Sequence, residues 1–144
     1  MSTTASTTAR RAHRPKALTG KVYAGYPMNC YHTPYAAACF AALAELLPTA
    51  ELIDPAAIFA TNAQWLHEWP ALVRILGGFV LFAEPDGTIG AGCIRELADA
   101  IALGVSVAGF ELEGGLREIL GFDLIDIATR GARRMGTLRL GRPL

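Results

Sequence analysis

Two carboxylates, Asp86 and Glu96, bracket a glycine-rich segment that contains Gly87, Gly90 and Gly92. A carboxylate pair suits the cleavage of a glycosidic bond, because one group stabilises the cationic sugar and the other protonates the leaving group. Glycines let the backbone approach a ligand, and the free N–H groups at the start of a following helix attract an anion. The segment therefore predicts either contact with a phosphate or sugar hydroxyl, or only a tight turn.

The elements around this segment alternate between strands and helices. An apolar run at residues 79–83 precedes it and a helical pattern at 93–103 follows it. Other predicted strands cover residues 21–25, 50–53, 105–110, 116–120 and 122–127. Predicted helices begin after the N-cap Thr33 and near Thr61 or Asn62, and Pro70 is expected to kink or divide the second. This alternation predicts an α/β fold, a three-layer Rossmann-like (flavodoxin-like) domain with a mainly parallel sheet of four or five strands.

The same residues resemble a known family. Residues 22–27 are similar to the first strand and loop of the nucleoside 2-deoxyribosyltransferases and the related nucleotide N-glycoside hydrolases. A second block, from the run at 79–83 through Glu96 to residue 105, resembles their strand, Asp/Gly-rich loop and glutamate-bearing helix. The resemblance covers roughly residues 20–110.

The resemblance implies a function and roles for three residues. The protein would bind a nucleoside or nucleotide and cleave or transfer its N-glycosidic bond, as a transferase or hydrolase without a cofactor. Glu96 would be the nucleophile, Asp86 the general acid or base-recognition residue, and Tyr26 would lie near the sugar or nucleophile. The resemblance also implies a homo-oligomer. The expected substrate-binding residues are Gly25, Pro27, Asn29, Gly87, Thr88, Gly90 and Gly92.

Other observations keep a non-catalytic nucleotide-binding or sensing domain open as the alternative. Taking 100° per residue, Glu96 lies roughly 150° from the apolar stripe of its helix, formed by Ile94, Leu97 and Ile101, and would face solvent. The segment from Asp86 to Glu96 is also longer than the family usually shows, which separates the two carboxylates. A third interpretation is a structural protein without a ligand.

Several further side chains have both a functional and a structural interpretation. Trp65 and Trp69, four residues apart, are expected to belong to the core more often than to stack on a base. His32 lies in the loop after the first strand, where it would contact a ligand or simply be solvated. Cys93 is interpreted as a small buried thiol, and no spacing predicts a metal site.

Composition and charge define the organisation of the chain. Its 144 residues, 52% hydrophobic and 18% charged, indicate one globular domain. We expect a disordered basic tail at residues 1–17, the α/β domain at 18–129 and a basic segment at 130–144. The part at 18–129 has four basic side chains against 13 acidic ones, a net charge of −9. This negative charge argues against a nucleic-acid partner. No apolar run predicts a membrane span, and three cysteines without paired spacing favour a cytoplasmic location.

Overall fold

The computed structural model describes residues 18–121 and 136–144. Its helices are α1 (Pro34–Leu46), α2 (Pro55–Ile58), α3 (Asn62–Val73) and α4 (Ala91–Ala102). Its strands are β1 (Lys21–Gly25), β2 (Glu51–Ile53), β3 (Gly78–Leu81), β4 (Thr88–Ile89), β5 (Val107–Glu111), β6 (Gly115–Gly121), β7 (Gly136–Thr137) and β8 (Arg139–Pro143). A 3-10 turn at Met28–Cys30 follows β1.

The main sheet has six strands in the order β2-β1-β3-β5-β6-β8. The first four are parallel, whereas β6 and β8 are antiparallel to their neighbours. The α/β prediction is confirmed, and the expected count of four or five strands is too low. The main-sheet strand that the sequence does not predict is β8, which lies beyond residue 129, the expected end of the α/β domain. Its arginines, glycine and proline have weak strand propensity, and pairing with β6 holds it in the sheet.

Two expectations fall outside the described residues. These are the disordered tail at residues 1–17 and the edge strand at 122–127. Within the described ranges, no helix is long and apolar enough to cross a membrane.

Local signals explain where the helices begin. Thr33 accepts a hydrogen bond from the backbone N of Ala36 (3.2 Å), and Thr61 accepts one from the backbone N of Gln64 (3.0 Å). Each such cap contributes about 1 kcal/mol to helix stability. Helix α3 continues through Pro70, so of the two expected effects, a kink or a division, the division does not occur. The buried side chains of Trp69 and Val73 lie on either side of the proline and pack in the same core, which holds both turns in place.

The sheet buries different residues on its two faces. One face of β1 places Val22 and Ala24 in a core with Cys39 and Leu43 of α1. The alternate residue, Tyr23, enters a second core that includes residues of α3 and α4. Helices therefore cover both faces, as the continuous burial of β3 requires.

The buried side of α4 is not the side that the helical wheel predicted. Ile94 and Leu97 are buried as expected, but Ile101 is 49% exposed and Glu96 only 5% exposed. The buried residues of the helix are Cys93, Ile94, Glu96, Leu97 and Ala100. The helix contacts the sheet on one side and Trp65 of α3 on another, so its buried arc is rotated towards Glu96.

Candidate functional site

A cavity of about 420 Å³ opens beyond the carboxyl end of β1. Its walls come from the loop after β1, the segment that joins β2 to α3, and the first turns of α4. Because β2 and β3 flank β1 on opposite sides, this edge is a topological switch point, where α/β sheets bind ligands. Aromatic side chains of Tyr26, Tyr31, Phe59 and Trp65 form much of the lining, and the size suits a small molecule.

Glu96 lines this cavity from α4, so the prediction that it faces solvent is wrong. Its Oε2 atom accepts hydrogen bonds from the hydroxyl of Tyr23 and from Nε1 of Trp65, the latter at 2.8 Å. No described residue donates a hydrogen bond to Oε1. The carboxylate is thus held through one of its two oxygens.

Gly25 makes room for this arrangement at the end of β1. A Cβ atom at this position would lie 3.1 Å from Oε1 of Glu96 and 2.8 Å from the ring of Phe79. Any side chain here would push against the carboxylate or the core. Gly25 therefore belongs to the site through the space that it leaves, although it does not itself line the cavity.

Burial is the largest influence on the pKa of Glu96. Desolvation raises the pKa of its carboxyl group from 4.5 to about 7, against the hydrogen bonds from Tyr23 and Trp65, which lower it. The nearby charge of Asp99 adds to the increase. Burial and the adjacent Glu96 raise the pKa of Tyr23 far above its ordinary value, so its hydroxyl remains a donor.

Tyr26 lines the same cavity, but its hydroxyl binds another carboxylate. It donates to Oδ1 of Asp54 at 2.7 Å, and the same oxygen caps the short helix α2 by accepting from the backbone N of Ala56 at 2.9 Å. The contact with Glu96 comes instead from Tyr23. Tyr26 therefore shapes the wall opposite α4 and ties the loop after β1 to the segment after β2.

Asp86 is not brought together with Glu96. It lies in an exposed turn and does not line the cavity. Its Oδ1 accepts from the backbone N (3.0 Å) and the hydroxyl (2.8 Å) of Thr88, and these bonds hold its pKa below the ordinary value. A carboxylate that is stabilised in its charged form is a poor proton donor, so the structure does not support Asp86 as general acid.

The expected binding residues divide between two places. Pro27, Asn29, Gly90 and Gly92 line the cavity with Glu96. Gly87 instead lines a separate depression on the β5–β6 side, and Thr88 is occupied by its bonds to Asp86 and Glu84. Of the glycine-rich segment, only the end that leads into α4 faces the cavity.

Two donors to Glu96 are not predicted from the sequence. Tyr23 is predicted only as part of the first strand and of the segment that resembles the family, and Trp65 is expected to belong to the core more often than to stack on a base. The available signal was the alternation of β1, which sends Tyr23 to the opposite face from Val22 and Ala24. A hydroxyl buried on that face must find a partner, and Glu96 is that partner.

His32 also lines the cavity, from a strained backbone position. Its φ angle of 60° is in the left-handed region, which is uncommon for residues other than glycine. Such positions cluster at functional sites. The imidazole is therefore the cavity's second candidate for proton transfer.

Comparisons with protein-family models, curated proteins and solved structures found no match to this chain. Among the described residues, no group of three His, Cys, Asp or Glu side chains is arranged to hold a metal ion.

Removal of the Tyr23 hydroxyl is expected to change the pH dependence of the site. In Tyr23→Phe, a hydrogen bond that favours the charged form of Glu96 is lost, so the pKa of Glu96 rises further above 7. Any activity or ligand binding that needs the carboxylate then requires a higher pH. The pH profile of the variant should move to higher pH, while that of Tyr35→Phe, whose hydroxyl binds the carbonyl of Ala83, should match the wild type. Superimposable profiles for the wild type and Tyr23→Phe would contradict the role of this bond.

Proposed function

We propose that this protein binds a nucleoside or nucleotide in the Glu96 cavity and cleaves or transfers its N-glycosidic bond. The observation that carries the proposal is the buried carboxylate of Glu96, which lines the cavity and is anchored through Oε2 by Tyr23 and Trp65, while no described residue donates to Oε1. Attack of Oε1 on the anomeric carbon forms the glycosyl–enzyme bond as the bond to the base breaks, and water or a second base then releases the sugar. The resemblance to the nucleoside deoxyribosyltransferases and a Rossmann-like, flavodoxin-like classification of the fold belong to the same proposal.

The lining of the cavity supports an uncharged substrate. Within the described part of the chain, Glu96 is the charged residue that lines it, and neither lysine nor arginine does. A phosphate would therefore meet a negative charge with no lysine or arginine side chain to balance it. The aromatic walls provide surfaces for a base, and Asn29, Thr61 and Asn62 offer hydrogen bonds to sugar hydroxyls. We expect nucleosides to be better substrates than nucleoside monophosphates.

His32, rather than Asp86, is the proposed proton donor to the departing base. It lines the cavity, and histidine is the side chain that most often serves as a general acid or base. His32→Gln is expected to lower the rate of base release about 10²-fold, the usual effect of losing a general acid. His67→Gln, an exposed histidine of α3, should retain the wild-type rate. Equal rates for wild type and His32→Gln would remove His32 from the mechanism.

The test of the function is incubation of the protein with a pool of ribo- and deoxyribonucleosides and their monophosphates. Chromatography separates free bases and, when a second base is added, exchanged nucleosides. Base release or exchange supports the proposal and names the substrate. No release from any member of the pool would overturn it for these substrates.

The alternative is a nucleoside-binding domain without catalysis. The position of Asp86 favours it, because the two carboxylates expected to act together do not face one cavity. Equilibrium dialysis against the same pool distinguishes the two functions. Binding without base release would identify the alternative.

We also propose a cytoplasmic homo-oligomer. The cysteines Cys30, Cys39 and Cys93 are buried free thiols, which suit a reducing compartment. Met28 is 69% exposed at the cavity wall, where a neighbouring subunit would cover it. Light scattering after size exclusion tests the assembly, and a monomer at micromolar concentration would overturn it.

A further inference from the structure

A groove of about 330 Å³ lies between α3 and α4, outside the cavity just described. Arg74, at the end of α3, and Arg95, on α4, both line it. Leu66, Pro70 and Leu103 provide apolar walls. The groove therefore combines two guanidinium groups with an apolar surface.

The distribution of basic side chains makes this groove unusual. Residues 18–121 contain four of them, in a part of the chain that is otherwise strongly acidic. Lys21 is paired with Glu51 at 3.0 Å and Arg117 with Glu111 at 2.7 Å. The other two are Arg74 and Arg95, and neither forms an ion pair with a carboxylate of the described residues. Within residues 18–121, both basic groups without such a partner thus lie on one concave surface.

We propose that this groove binds a phosphomonoester whose organic part is apolar. Guanidinium groups match the geometry of phosphate oxygens, and two of them are needed to balance a dianion. Asp99 also lines the groove, but one of its oxygens is occupied by Nε1 of Trp69 at 2.9 Å. Its charge offsets one arginine and limits the affinity. The apolar walls accommodate the organic group of the ligand.

Trp65 is shared between the groove and the Glu96 cavity. The guanidinium of Arg95 lies 5.7 Å from the centroid of its ring, while its Nε1 donates to Glu96. A ligand in the groove would thus contact the outer side of the same indole that positions the carboxylate. The groove proposal does not depend on the proposed function, since its test measures binding and not base release.

The test uses the tryptophan fluorescence of the protein. The chain has two tryptophans, Trp65 and Trp69, and both line the groove. Phenyl phosphate is the probe, because it carries the proposed chemistry and has no N-glycosidic bond. We expect a saturable change in emission on titration, weakened about tenfold or more in Arg74→Gln and in Arg95→Gln. Arg142→Gln, an exposed arginine of β8, should bind as tightly as the wild type. Equal affinity of all three variants, or no saturable change in the wild type, would overturn the proposal.

Further measurements locate the ligand and define its chemistry. In Trp65→Phe the remaining reporter is Trp69, which lines the groove but not the cavity, so the signal should persist. A signal that Trp65→Phe abolishes but that Arg74→Gln and Arg95→Gln leave unchanged would place the probe in the cavity instead. Asp99→Asn removes a repelling charge and should tighten binding about threefold or more, whereas unchanged affinity would contradict the position of the phosphate.

Inorganic phosphate and phenol should each bind more weakly than phenyl phosphate. If inorganic phosphate or phenol bound as tightly as phenyl phosphate, the proposal that the groove recognises both the phosphate and the apolar group would be refuted. Arg95→Lys, which keeps the charge, should fall between the wild type and Arg95→Gln, and melting temperatures confirm that each variant is folded.

Discussion

Glu96→Gln is expected to abolish base release, with a loss of about 10³-fold or more. The amide has the shape of the carboxylate and can still accept hydrogen bonds from Tyr23 and Trp65. It cannot attack the anomeric carbon or stabilise positive charge on the sugar, because it is neutral and weakly nucleophilic. The measurement is the initial rate of base release from the best substrate in the pool, compared with that of the wild type.

The control for this variant is Glu68→Gln, which neutralises an exposed glutamate of α3 outside the cavity. It should retain the wild-type rate. A second variant, Glu96→Ala, leaves space beside the anomeric carbon, so added azide should restore cleavage by forming a glycosyl azide as the bond to the base breaks. A Glu96→Gln protein that releases base within threefold of the wild-type rate would exclude Glu96 as nucleophile.

The sequence predicts the parallel part of the fold well, because its signals are local. The strand at residues 21–25 coincides with β1, and Thr33 caps the helix it was expected to cap. Thr61, one of the two expected caps of the next helix, is its N-cap. Each of these predictions depends on residues within a few positions of one another. By contrast, β8 is a strand only because β6 pairs with it, which no neighbouring residue signals.

The orientation of Glu96 could not be predicted in the same way. The helical wheel assumes that one apolar stripe faces the core, and it therefore places Glu96 in solvent. In the structure, α4 is buried against the sheet and also meets Trp65, whose indole comes from a helix 31 residues away in sequence. The Tyr23 contact spans 73 residues. Such contacts are set by the topology of the sheet, which brings β1 next to α4.

The Asp86 prediction fails for a different reason. The family resemblance identifies residue types in order, but it does not determine which way a turn presents its side chains. Asp86 folds back onto Thr88 two residues later, a local bond that aspartate forms readily in turns. That local bond competes with any longer-range role of Asp86. The second carboxylate close to the cavity wall is instead that of Asp54, which accepts a hydrogen bond from Tyr26.

The buried carboxyl group of Glu96 should also make the protein less stable as the pH rises. Its pKa is about 7 in the folded protein and about 4.5 when it is exposed to solvent in the unfolded chain. Below pH 4.5 both states are protonated, and the full stability is present. Between these values the unfolded chain ionises first, so the free energy of unfolding falls by about 1.4 kcal/mol per pH unit and levels off above pH 7. The accumulated loss is on the order of 3 kcal/mol.

Glu96→Gln removes this loss, since an amide does not ionise. Relative to the wild type, its free energy of unfolding should increase by roughly 3 kcal/mol between pH 4.5 and pH 8, as measured by urea denaturation at several pH values. Glu68→Gln, which changes an exposed glutamate outside the cavity, should instead follow the wild-type curve. Parallel curves for wild type and Glu96→Gln would show that the carboxyl group has an ordinary pKa. We therefore expect Glu96→Gln to be inactive yet more stable than the wild type near neutral pH. The reason is that the negative charge required for attack on the sugar is also the charge that burial disfavours.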